Sequence, residues 1–103
     1  MDVTRLGPQD SSGNGKTLYK SISVFRRLSA EEAVIYRCFE LIPERGFVVQ
    51  SADRIHLPVP MDEMRHHERQ LLELFCELSP EERSRPFASI EEAITAFDAE
   101  FGN

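Results

Sequence analysis

The sequence predicts an α+β fold: a two-layer arrangement with a three-stranded, mainly antiparallel sheet, helices on one face, and the order β-α-β-β-α-α. Three observations predict it. Residues 36–57 alternate like two strands around Pro43-Glu-Arg-Gly46, where Pro43 presets one corner of a type I turn and Gly46 can take positive φ. Residues 61–78 carry apolar side chains at three- and four-residue spacing. Ser29-Ala-Glu-Glu32 and Ser89-Ile-Glu-Glu92 both match the capping box that opens a helix.

Taken in order, residues 1–17 read as a flexible leader rich in Gly, Ser, Asn, Asp and Pro, with too little apolar surface to order itself. Residues 18–103 make the single domain. Gly15-Lys16-Thr17 imitates the end of a phosphate-binding loop. The glycine required five positions earlier is Asp10, and the strand that should lead in is Gly7-Pro8, so nucleotide binding there is not expected. Leu18–Leu28 alternates as the first strand, with Leu18, Ile22 and Val24 on one face and Tyr19, Ser21, Ser23 and Phe25 on the other. Ser29 is expected to cap a short helix reaching Val34 or Ile35. The hairpin follows, and Pro58-Val-Pro60 stops its second strand because proline cannot donate to a ladder.

The helix from Met61 or Asp62 to Leu78 places Met64, Leu71, Leu74, Phe75 and Leu78 on its apolar stripe. Charged pairs sit four apart at Glu63/His67 and Arg69/Glu73. Ser79-Pro80-Glu81-Glu82 starts a single turn that Pro86 ends. Ser89 opens the last helix, which runs to about Phe101 and buries Ile90, Ala93, Ile94, Phe97 and Phe101, with Gly102 as its stop.

Charge is unevenly spread. The net value of −6 divides into +3 for residues 1–28 (five basic, two acidic), −2 for 29–60 (three, five) and −7 for 61–103 (four, eleven). An acidic helical half repels a phosphate backbone and argues against a nucleic-acid-binding face, while favouring a basic protein partner. No apolar run approaches the roughly 20 residues that span a membrane, and the N-terminus lacks a signal-peptide stretch, so a cytoplasmic protein is expected.

Candidate chemistry is sparse. His56, Glu63 and His67 are the one set with metal-ligand character, since Glu63 and His67 lie one helical turn apart and His56 ends the preceding strand. The pattern is not a zinc-protease motif, and the bland reading is histidines paired locally with acids. Cys38 and Cys76 have no redox or zinc spacing and read as small buried hydrophobes, and a nucleophilic Cys76 is disfavoured by Glu73 and Glu77 beside it. The polar run Gln50-Ser51-Ala52-Asp53 inside a strand marks a bulge, a site reading a ligand, or an edge strand with one solvated face. No cofactor is indicated. These features predict a non-catalytic protein-binding or regulatory module. A toxin-neutralising, immunity-type inhibitor is one form of it, with partner contacts expected from Glu68, Glu73, Glu77, Glu81 and Glu82. The alternatives are a metal- or ligand-dependent protein built on the histidines, and a subunit that self-associates through a free strand edge.

Overall fold

Three strands come first and three helices follow in the computed structural model, which describes residues 17–102. The elements are β1 (Leu18–Arg27), β2 (Glu32–Ile42), β3 (Phe47–His56), α1 (Met61–Glu77), α2 (Pro80–Arg83) and α3 (Ile90–Phe101). The sheet is antiparallel throughout, in the order β1-β2-β3, so the longest strand is central. The leader reading of residues 1–16 lies outside the described residues. Thr17 is buried, and its Oγ1 accepts a 2.6 Å bond from Arg45 Nη1.

The order therefore differs from the β-α-β-β-α-α expected. Ser29 does make the capping bonds its sequence announces, accepting from the backbone N–H of Glu31 and of Glu32 at 3.1 Å each. No helix follows. The same hydroxyl-to-amide bond closes a tight turn, and Leu28 and Ser29 donate across it to the Glu32 carbonyl. From Glu32 onward the β-branched and aromatic run Val34, Ile35, Tyr36 and Phe39 pairs with β1 (Val34 opposite Arg26, Tyr36 opposite Val24), which a helix of five or six residues cannot match.

The second hairpin forms where it was expected, with Leu41 N–H bonded to the Gly46 carbonyl at 2.8 Å. Its turn is not a simple type I: the Ile42–Pro43 peptide is cis and Glu44 takes φ 39°. Gly46 has φ 101°, and a Cβ there would lie 2.8 Å from the Phe87 carbonyl oxygen, so both conformation and space demand glycine. That close approach seats residues 86–87 on the sheet edge, where Phe47 and Phe87 exchange two 2.8 Å backbone bonds.

The helices cover both faces of the sheet rather than one. Side chains alternate along β2, and both sets are apolar. Val34, Tyr36 and Cys38 join Val49 against Ala93 and Ile94, with Ile90 and Phe97 of α3 packed beside them. Phe39 and Leu41 join Val48 against Leu71 and Phe75 of α1, with Tyr19 at their side. A strand apolar on both sides must be covered on both sides. Burying each large side chain contributes about 1.5–3 kcal/mol. Phe101, expected in the buried stripe, is exposed, although its ring lies 4.6 Å from that of Phe97.

Each face is tied to its helix by one tyrosine. Tyr36 Oη donates to Asp98 of α3 at 2.9 Å, and the same carboxylate takes Arg26 at 3.1 Å. Tyr19 Oη lies 2.8 and 2.9 Å from the two carboxylate oxygens of Glu81 in α2. Burial, and then the Glu81 acceptor, push the Tyr19 phenol up to about 12. Burial and the Asp98 acceptor raise Tyr36 likewise. No helix among the described residues is long and apolar enough to cross a membrane.

Candidate functional site

On the α1 side of the sheet the apolar packing gives way, halfway along, to charge. Arg37 stands in the middle of β2, opposite Ser23 of β1 and Ser51 of β3. Its Nε donates to Asp53 Oδ2 at 2.8 Å, and the two side chains are only 10% and 8% exposed. Asp53 Oδ1 lies 3.4 Å from Nδ1 of His67, and Nε2 of His67 lies 3.5 Å from Glu63. The chain of groups runs Arg37–Asp53–His67–Glu63, from the central strand through the edge strand to the first turns of α1.

A β-bulge positions this line. Arg37 pairs with Ser51 and Cys38 with Val49, so Gln50 is the extra residue on β3. Gln50 reaches across to α1, where its Nε2 donates to the Leu71 carbonyl at 3.2 Å, while its Oε1 is buried with no partner among the described residues. Of the readings open for residues 50–53, the bulge is present. Asp53 and Gln50 are buried beneath α1, not solvated at an edge.

The chemistry of the line is that of a clamp. Both ring nitrogens of His67 face carboxylates, yet neither contact has the alignment of a hydrogen bond. A general base needs one nitrogen presented to a substrate, and here each is turned to an acid of the protein itself. The thiols stand elsewhere. Cys38 is fully buried on the α3 face, where burial pushes it up to about 11, and Cys76 is exposed on α1. The shared expectation of two buried cysteines thus fails for Cys76, which sits about 100° around the helix from its neighbour Phe75.

Of the metal-ligand set, the structure brings Glu63 and His67 together and adds Asp53, which spacing did not show. His56 ends β3 as an exposed residue opposite Glu32. Among the described residues no three His, Cys, Asp or Glu side chains converge as a cation site. The two acids flanking His67 approach opposite sides of the ring.

The five carboxylates expected to meet a partner fall into three situations. Glu68 and Glu73 are exposed on α1, with Glu73 3.9 Å from Arg69. Glu77 is exposed and receives Arg83 at 3.3 Å. Glu81 is held by Tyr19, and Glu82 closes the capping box of α2, accepting from Ser79 Oγ at 2.7 Å. Sequence reasoning missed Leu72, which projects from the same helix with 64% of its surface exposed. Its position at the margin of the stripe, about 100° around the helix from Leu71, was the available signal. Comparison with protein-family models, curated proteins and solved structures finds no match for this chain.

Proposed function

We propose that this protein is a non-catalytic binding module that docks a basic protein partner on the outward face of α1. The observation that carries the reading is Leu72, a large exposed apolar side chain with Glu68 one turn before it and Glu73 beside it. Seventeen residues of α1 leave none buried, because the helix lies on the sheet by a single stripe. Five acids (Asp62, Glu63, Glu68, Glu73, Glu77) against two arginines (Arg65, Arg69) make it net −3. Its last turn holds no basic residue, so Glu73 and Glu77 add their charge to the negative end of the helix dipole. An apolar centre with a charged rim is the pattern of an interface hot spot, and the surrounding field steers a cationic partner toward it. Glu81 and Glu82 add to that field while their side chains remain engaged internally.

The test is capture from the source lysate at low salt, run in parallel with the wild type and with Leu72→Arg. One stoichiometric basic protein, released as salt rises and retained at least about tenfold less well by Leu72→Arg, is expected. No capture, or capture indifferent to position 72, overturns the reading.

A further inference from the structure

The two edges of the sheet differ. β3 carries the Gln50 bulge, and its outer side is engaged at Phe47 by the backbone of Phe87. β1 pairs with β2 through ten consecutive positions without a bulge, and it contains no proline. Among the described residues no strand adjoins its outer side. An edge of that length and regularity is a template for another strand. We infer that the strand is a second copy of this chain, with β1 antiparallel to β1 about a two-fold axis through Ile22, so that two sheets join into one.

The bonding pattern fixes which backbone groups the edge offers. Leu28 N–H donates to the carbonyl of Glu32 opposite it at 2.9 Å, and the pairing continues in step from Arg27 opposite Ala33. Bonded and unbonded pairs alternate along an antiparallel ladder, so the even residues of β1 turn their N–H and C=O groups to β2. The far end agrees: Leu41 bonds across to Gly46, which leaves its neighbour Glu40 to bond with Lys20 opposite. Tyr19, Ser21, Ser23 and Phe25 therefore turn their backbone groups outward.

Symmetry and charge choose the register. A two-fold axis normal to a continuous sheet keeps like faces together, so each residue meets one of its own parity. With Ser23 on the axis, Lys20 falls opposite Arg26 of the second copy, and like charges meet twice. With Ser21 or Val24 on the axis, Phe25 or Tyr19 has no opposite residue in the strand. With Ile22 on the axis, Tyr19 meets Phe25, Ser21 meets Ser23, Lys20 meets Val24 and Leu18 meets Arg26, and no like charges are opposed. Every outward residue from Tyr19 to Phe25 then lies in a bonded pair. The same register covers Leu18 and Phe25, the apolar side chains of β1 that are 64% and 66% exposed. The helices leave them bare because their main sheet contacts are with β3.

Sedimentation velocity of the full chain from about 1 µM to about 1 mM tests this, with a shift from monomer to dimer expected for the wild type. Ser23→Pro removes an outward N–H that β2 does not use, so the monomer should stay folded while association weakens at least about tenfold. Two charge variants at these exposed positions decide the matter even where proline unfolds the monomer. Ser21→Glu with Ser23→Glu opposes like charges and should weaken association at least about tenfold. Ser21→Lys with Ser23→Glu opposes unlike charges only when Ile22 is on the axis, and should keep or tighten the dimer. A wild type still monomeric at about 1 mM overturns the inference. A dimer indifferent to the double glutamate variant, or to a folded Ser23→Pro, does so as well, and disruption by the Lys/Glu variant overturns the register.

Discussion

The central strand shows a different chemistry to each side. Toward α3, Val34, Tyr36 and Cys38 meet Ala93 and Ile94, and polar contact is confined to the margin at Tyr36, Asp98 and Arg26. Toward α1, Phe39 and Leu41 are packed in the same dry way, but Arg37 one step along is buried against Asp53, with His67 and Glu63 beyond. The two halves of the molecule are held by different means. Apolar packing degrades by degrees when a side chain is trimmed. A buried ion pair does not, because removing one partner leaves the other charged, desolvated and alone. The α1 face is therefore the more specific of the two and the less forgiving.

The sharpest way to break that contrast is to remove half of the pair. Arg37→Leu is expected to lower the unfolding free energy by about 3–5 kcal/mol, and adding Asp53→Leu should restore most of the loss. Chemical denaturation of the single and double variants measures both. Equal stability of the two variants would mean that Asp53 is solvated after all, and the contrast would collapse. Trimming the dry half comes next: Leu41→Ala, at a fully buried position, should cost about 2–5 kcal/mol with no second substitution able to rescue it. Tyr36→Phe on the α3 side should cost only about 1 kcal/mol, the net value of one hydrogen bond whose acceptor Asp98 keeps Arg26.

Much of the dry architecture could be read from residue types in order. The faces of β1, the Pro43–Gly46 turn region, the α1 stripe around Leu71 and Phe75, and the Ser89 cap all follow from periodicity and local hydrogen bonding. Each depends on neighbours within a few positions. What failed was decided at longer range. Ser29 carries the same signal whether a helix or a strand comes next, and the choice falls to pairing between Val34 and Arg26, eight residues apart. Helices on both faces follow from β2 being central, which alternation in one strand cannot announce. The candidate site was half legible. Glu63 and His67 are one turn apart by spacing, whereas Arg37 and Asp53 join them only through register across the sheet.

Alkaline titration compares the faces more gently. Burial pushes Cys38 on the α3 side from its ordinary 9.0 up to about 11, and Tyr19 on the α1 side from 10.0 up to about 12. In both cases the folded chain holds its proton more tightly than the unfolded chain. The associated stability is complete below pH 9. It declines as pH rises through 9 to 11 for the thiol and through 10 to 12 for the phenol. The thermal midpoint should therefore fall steadily above pH 9, and Cys38→Ala, though lower throughout, should fall less steeply between pH 9 and 10. A wild-type midpoint flat to pH 11 would show that neither group is shielded in solution.

The smallest effect asks whether the two faces are separate units at all. A thiol reagent at neutral pH should titrate one equivalent promptly, at exposed Cys76, and reach Cys38 only when the fold opens. Cys38 and Arg37 are adjacent in β2 yet point to opposite faces, so the pair reads coupling directly. If the sheet opens as one unit, Arg37→Leu should speed Cys38 labelling by about tenfold for each 1.4 kcal/mol it destabilises, even though the substituted side chain is on the other side. If Cys38 keeps its wild-type rate while the α1 side loosens, the faces open independently. The two kinds of packing would then belong to two cooperative units that share only a strand. The paired register of β2 with both neighbours favours the first result, because exposing Cys38 requires breaking bonds that also hold Arg37 in place.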